Sequence, residues 1–262
     1  MLPQLVIFDV DGLLLDTEQV WKQAWRKTAD SFGLLNVRDE EFHRLIGKTG
    51  QASMDEAREI LNGACRAEDF MERMRAFGSK MLEEDLRLKP GARELLEKLQ
   101  EKEISCAVAT ATSRELTEKR LGRMGILSFF SYVCCGDEVR RGKPFPDIYL
   151  NVLEQMKCPA DRAVVLEDSP VGVEAAFRAG IPCVMVPDMI LPGEAEKERA
   201  KWILPSLFEA GRRIFQEDSA GTDINKGLRG ETYGKRRFRD FDGYPRRTGK
   251  RVFERFKAGF GY

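Results

Sequence analysis

LVIFDVDGLLLDTE, residues 5–18, decides the fold. Four apolar residues run straight into Asp9 and Asp11, with only Val10 between them. Gly12, three leucines, and an acidic pair around Thr17 follow. A short continuous apolar run reads as a strand buried on both faces, as in a parallel sheet covered by helices. Runs of the same kind recur at ISCAVAT (104–110), FFSYVCC (129–135), AVVLED (163–168) and CVMVPD (183–188). Helical spacing fills the intervals, in GARELLEKLQEKE from 91, SRELTEKRLGRMG from 113, PFPDIYLNVLEQM from 144 and SPVGVEAAFRAG from 169. Gly125 and Gly180 stand where helix C-terminal glycines belong. The alternation predicts an α/β fold with a parallel sheet and right-handed crossovers.

Residues 17–85 break the pattern. They hold no strand-like run, and VWKQAWRKTADSFG, SMDEAREILNG and DFMERMRAFGSKMLEED all have helical periodicity. The segment reads as a helical insertion after the first strand, and Pro90-Gly91 marks the return to the sheet. The end of the chain differs again. From Lys226 to Tyr262 there are twelve Lys and Arg against four Asp and Glu, a net +8, so residues 1–225 of this neutral chain carry −8. Those last residues hold one Leu, one Val and no Ile beside eight Phe and Tyr, too little aliphatic material for a core. Residues 217–262 are expected to be a mostly disordered basic tail.

Bulk composition excludes several classes. With 42% hydrophobic and 33% charged residues the 262-residue chain resembles an ordinary soluble protein. Zero net charge gives no global case for nucleic acid or membrane surfaces. No apolar run approaches a membrane span, and no signal peptide is expected at the N-terminus. The six cysteines form no CxxC, which suits buried thiols in a reducing cytoplasm. The single histidine, His43 in EEFHRL, reads as a solvated helix residue rather than a ligand or base. Chemistry therefore has to run on carboxylates, hydroxyls and lysines.

In an open parallel sheet, ligands bind beyond the carboxyl ends of the strands. Asp9 and Asp11 emerge there from the first strand, Thr110 from ISCAVAT, and Glu167-Asp168 from AVVLED, while Lys143 opens the helix that follows GDEVRRGK. Two carboxylates so close call for a positive charge between them, and a divalent cation is the natural partner. Taken alone, an acidic pair after a strand is as readily a cap or a turn. Four strand ends converging in order favour a site for a phosphate and a hard metal ion.

FDVDGLLLDTE, AVATATSR, GKPFPDIY and LEDSPVGVEAAFRAG together resemble the four ordered motifs of the haloacid dehalogenase superfamily, over residues 1 to about 210. The helical insertion resembles the subgroup that includes β-phosphoglucomutase and many small-metabolite phosphatases. The resemblance implies a Rossmann-like catalytic core at 1–16 and 86–216, a helical cap at 17–85, and a Mg²⁺-dependent phosphotransferase. It implies Asp9 as nucleophile, Asp11 as general acid and base, and Thr110, Ala111 and Lys143 as phosphate-binding residues. It implies a metal site of Asp9, Asp11 and Asp168, with Glu167 in the first or second shell of ligands. Gly12 would permit a tight turn that lets backbone N–H groups reach the phosphate, and Ser169 would cap the helix that follows.

The cap loop LIGKTGQ (45–51) makes Lys48, Thr49 and Gln51 candidate substrate contacts, and Trp21 a candidate for the pocket wall. A polar inter-helix loop and core packing of Trp21 with Trp25 are the structural alternatives. β-Phosphoglucomutase carries an arginine where Gly50 stands and a histidine where Trp21 stands. Hydrolysis of a small, sugar-like phosphate is therefore favoured over a mutase reaction. In the tail, KRRFRDFDGYPRRTGKRVFERF interleaves arginines with aromatics, a composition that suits nucleic-acid binding as a further alternative.

Overall fold

The computed structural model describes residues 2–34, 37–46, 48 and 50–215. Six strands form one sheet: β1 (Leu5–Phe8), β2 (Ser105–Ala109), β3 (Tyr132–Cys134), β4 (Ala163–Glu167), β5 (Cys183–Met185) and β6 (Trp202–Ile203). Every neighbouring pair is parallel, in the order β3-β2-β1-β4-β5-β6. The five apolar runs each contain one of these strands. β6 was not anticipated, because two residues offer no periodicity to read.

Alternate residues of each strand serve opposite faces of the sheet. Val6, Phe8, Val108, Leu166 and Val184 face one layer, with α5 (Ala92–Glu101), α6 (Arg114–Arg123) and α10 (Leu207–Ile214). In α5 the residues Ala92, Leu95, Leu96 and Leu99 recur at helical spacing and are buried. Leu5, Ile7, Ala109, Val165 and Met185 face the other layer, with α7 (Asp147–Met156) and α8 (Pro170–Arg178). A short helix, α9 (Glu194–Arg199), precedes β6. The sheet is thus buried on both faces, which is why its strands read as unbroken apolar runs. The fold is a parallel α/β sheet of the Rossmann-like kind.

The insertion is helical: α1 (Thr17–Ser31), α2 (Asp39–Phe42), α3 (Gly50–Leu61) and α4 (Ala67–Asp85). It has its own apolar cluster, centred on Trp25, Phe42, Phe70 and Met74. The Trp25 and Phe70 rings meet edge-on at 4.9 Å. Trp25 is fully buried, whereas Trp21 is half-buried against Gly78 of α4. All six cysteines are free thiols, and Cys106, Cys134, Cys135 and Cys183 are buried. No helix among the described residues is long and apolar enough to cross a membrane. The tail reading of 217–262 lies outside the described residues.

Candidate active site

The sheet order has its reversal at β1, and the site forms there. The register pairs Phe8 with Val108 on one side and Leu166 on the other, so Asp9 leaves β1 level with Ala109 and Glu167. The Asp9 N–H donates to the Leu166 carbonyl at 3.1 Å, so the ladder runs one residue past the strand and holds the carboxylate at the sheet edge. Asp9 is 7% exposed and Thr110 is buried.

Lys143 bridges two carboxylates. Its Nζ donates to Asp9 Oδ1 at 2.6 Å, to Glu167 Oε1 at 2.5 Å and to the Ala109 carbonyl at 3.0 Å. It sits in the turn before α7 rather than opening that helix. Burial opposes its charge, but Asp9 and Glu167 outweigh that and hold the ammonium above the ordinary lysine range. Burial likewise raises the Asp9 carboxyl to about 7; Lys143 opposes the rise and Glu167 adds to it. Asp168 is raised well above the usual carboxylate range, first by burial and then by Glu167 and Asp9.

Glu167 is saturated with donors. Oε1 accepts from Lys143 and from the Tyr149 hydroxyl at 2.8 Å. Oε2 accepts from the N–H groups of Asp168 and Ser169 and from the Ser169 hydroxyl at 3.0 Å. Ser169 in turn caps α8, its Oγ accepting from the Gly172 N–H at 3.2 Å, with Pro170 as the first helical residue. Gly172 lets the helix start approach this carboxylate, because a Cβ there would overlap the Glu167 head group.

Asp9, Glu167 and Asp168 each present a carboxylate oxygen within 4.8 Å of the others. Such a cluster of hard oxygens fits a hard divalent cation. Glu167 already has its protein donors, so within this cluster the Asp168 carboxylate and Asp9 Oδ2 are the oxygens left available. Gly12 has φ +85°, and a Cβ on it would run into the Asp168 carboxylate. Its N–H donates to the Leu15 carbonyl at 2.9 Å, so the glycine makes room for Asp168 rather than offering that N–H to a ligand.

Asp11 points to partners that spacing did not reveal. Thr112 Oγ1 donates to its Oδ2 at 2.6 Å, and Arg120 Nη1 donates to its Oδ1 at 3.1 Å. Thr110 Oγ1 accepts from the Thr112 N–H at 3.2 Å, and Ala111 is exposed beside them. Three further ionisable residues belong to this edge. Glu18, in the first turn of α1, is raised to about 7 by burial and by the charges of Asp11, Asp188 and Asp9. Asp188 accepts from Lys89 Nζ at 2.7 Å, while its other oxygen is buried without a hydrogen bond. Neither acid was singled out from the sequence, although Glu18 stands at a helix start and Asp188 just beyond a strand. Arg120 was one arginine on a basic helix and carried no signal.

The cap-loop candidates divide. Lys48 pairs with Glu56, and Gln51 donates to Asp55 at 2.7 Å, both on the surface. Thr49 lies outside the described residues. Trp21 packs on α4, and none of these three joins the carboxylate cluster through a direct contact.

A carboxylate pair just beyond the central strand, a bridging lysine and an acidic cluster at the sheet edge fit the haloacid dehalogenase resemblance of the sequence motifs. The sequence pattern of the haloacid dehalogenase-like hydrolases matches residues 6–186, and the chain belongs to that family. It is 39% identical over 182 residues to a phosphorylated carbohydrates phosphatase from Thermotoga maritima, covering 68% of this chain and 82% of that one. Among solved structures it is similar to a Thermotoga maritima protein provisionally named a beta-phosphoglucomutase. That match has TM-score 0.68 and 32% identity, and it covers 82% of this chain and 99% of the other. CbbY from Rhodobacter sphaeroides, solved in complex with phosphate, superposes with TM-score 0.63 at 29% identity, over 80% of this chain and 98% of its own.

Proposed function

We propose that this chain is a Mg²⁺-dependent phosphatase that hydrolyses a small phosphorylated carbohydrate-like metabolite through an aspartyl-phosphate on Asp9. The observation that carries the reading is the buried Asp9 carboxylate held 2.6 Å from Lys143 Nζ, beside Asp168 and Glu167, at the carboxyl end of the central strand. The relatedness to a phosphorylated carbohydrates phosphatase supports the substrate class.

Asp9 would attack phosphorus with its free oxygen, while the ester P–O bond breaks and Asp11 gives its proton to the departing oxygen. In the second half, Asp11 takes a proton from water, which attacks the phosphoryl group and releases Asp9 and inorganic phosphate. Lys143 neutralises Asp9 against an anionic substrate and, with Thr110 and Ala111, steadies the transferring oxygens. The Asp9 and Asp168 carboxylates and the Asp11 backbone carbonyl would hold the metal, with Glu167 supporting from behind. When bound, Mg²⁺ offsets the repulsion between nucleophile and phosphate. Helices α1 to α4, residues 17–85, act as the cap that selects the substrate, with Trp21, Lys48, Thr49 and Gln51 as candidate contacts. The unpaired thiols suit a cytoplasmic setting.

Phosphate release from a panel of phosphorylated sugars and polyols, with Mg²⁺, tests the reading. Turnover is expected to vanish in Asp9→Asn and with excess EDTA. Turnover that persists in Asp9→Asn would sink the aspartyl-phosphate mechanism.

A further inference from the structure

Both oxygens of Asp11 are held from one direction. Thr112, in the loop before α6, takes Oδ2, and Arg120, one helical turn and more into α6, takes Oδ1. The Arg120 side chain is 14% exposed and that of Asp11 24%, so the pair is largely screened from water. Asp11 is the one acid that Arg120 reaches among the described residues. The helix carrying Arg120 is itself anchored. Arg123 donates to the Leu82 and Glu84 carbonyls at the end of α4, at 2.8 and 3.2 Å, and Lys119 pairs with Glu83 at 2.7 Å. A chain of polar contacts therefore runs from α4 through α6 to the Asp11 carboxyl.

We propose that Arg120, together with Thr112, is a positioning residue that aims the Asp11 carboxyl at the leaving oxygen. The inference rests on the phosphatase reading above. Asp11 sits in a loop just beyond β1, where an unpinned carboxyl would swing between rotamers. Proton transfer needs its oxygen within hydrogen-bond reach of the ester oxygen, about 2.6–3.2 Å. A planar guanidinium and a hydroxyl, each on a different oxygen, set both the position and the plane of the group. The step at stake is the first. Asp9 forms a bond to phosphorus, the ester P–O bond breaks with its electron pair going to the alcohol oxygen, and the Asp11 proton moves to that oxygen.

The consequence depends on the leaving group. An alkoxide is a poor leaving group and needs the proton, whereas p-nitrophenolate leaves without it. Loss of aim should therefore slow alkyl esters and spare aryl esters, while a merely structural lesion would slow both alike. The test compares kcat/KM on hexose 6-phosphates and on p-nitrophenyl phosphate, with Mg²⁺, for the wild type, Arg120→Ala, Arg120→Lys, Thr112→Val and Asp9→Asn. General acid catalysis is worth roughly 10²–10⁴-fold, so Arg120→Ala should lose about 10- to 100-fold on the alkyl ester and less than about three-fold on the aryl ester. Arg120→Lys should recover part of the alkyl rate, and Thr112→Val should show the same asymmetry at smaller size. Equal losses on both esters, no loss, or a gain on the alkyl ester would overturn the proposal. Should Arg120→Ala fail to fold, symmetry between the two esters in Thr112→Val overturns it equally. A wild type that cleaves neither ester would instead remove the phosphatase reading, and this proposal with it.

Discussion

Gly172→Ala puts the packing around the clustered carboxylates to a direct test. In the first turns of an ordinary helix, exchanging glycine for alanine stabilises by up to about 1 kcal/mol. Here the sign should reverse. A Cβ at 172 would lie under 3.0 Å from Cδ and both oxygens of Glu167, a separation that real Cβ atoms essentially never show. The obstructed group is no flexible side-chain end. Glu167 is fully buried and accepts from Lys143, from Tyr149 at 2.8 Å, from the Ser169 hydroxyl at 3.0 Å and from two backbone N–H groups. Moving it stretches the Ser169 and backbone contacts on Oε2. Overpacking costs about 1–3 kcal/mol and one hydrogen bond to a charged group lost outright about 1.5–3, so a loss of about 3 kcal/mol or more is expected. For a fold of this size that is a fall in Tm of roughly 6–12 °C. Thermal unfolding followed by circular dichroism reads the stability, and phosphate release at a temperature well below Tm reads the site. Activity should fall with stability, because the same displacement disturbs Lys143 and hence Asp9. A variant within 2 °C of the wild type, at unchanged kcat, would refute the claim that Glu167 is rigidly placed.

Three further outcomes follow from the charges. Lys143→Met leaves Asp9 and Glu167 facing each other without their cation. Breaking such a buried pair should destabilise by about 3–5 kcal/mol, read by denaturant titration, and abolish measurable turnover; a stable, active variant would remove Lys143 from the site. In metal-free protein, Asp9 and Glu18 are raised to about 7 from the ordinary carboxylate value near 4. The folded state then binds more protons than the unfolded chain between about pH 4 and pH 7, so stability in EDTA should fall as pH rises through that window. Mg²⁺ competes with those protons, so its affinity, measured by calorimetric titration, should rise over the same range. A Tm in EDTA that climbs from about pH 5 to pH 8 would contradict the burial argument.

What could be read from the chain alone was whatever depends on local pattern. An unbroken apolar strand such as LVIF can only be buried on both faces, and that implied a parallel sheet and a site at its carboxyl edge. Asp9, Thr110, Glu167 and Asp168 were legible because each ends such a run. Ser169 as a cap, and the glycines after α6 and α8, followed from backbone chemistry in the same way. Other features depend on which elements become neighbours, and no periodicity encodes that. Arg120 lies 109 positions from Asp11 and Tyr149 lies 18 from Glu167, yet each donates to that carboxylate. Gly172 seemed a helix residue like any other until the fold set its missing side chain against Glu167. The sequence by itself determined the sheet, the helical insertion and the carboxylates at the strand ends, since hydrophobic period and strand termination are properties of consecutive residues. Only the tertiary structure decided which carboxylate is saturated with donors, which keeps oxygens without a protein donor and which is paired with an arginine, since hydrogen bonds and desolvation depend on distances between residues far apart in the chain.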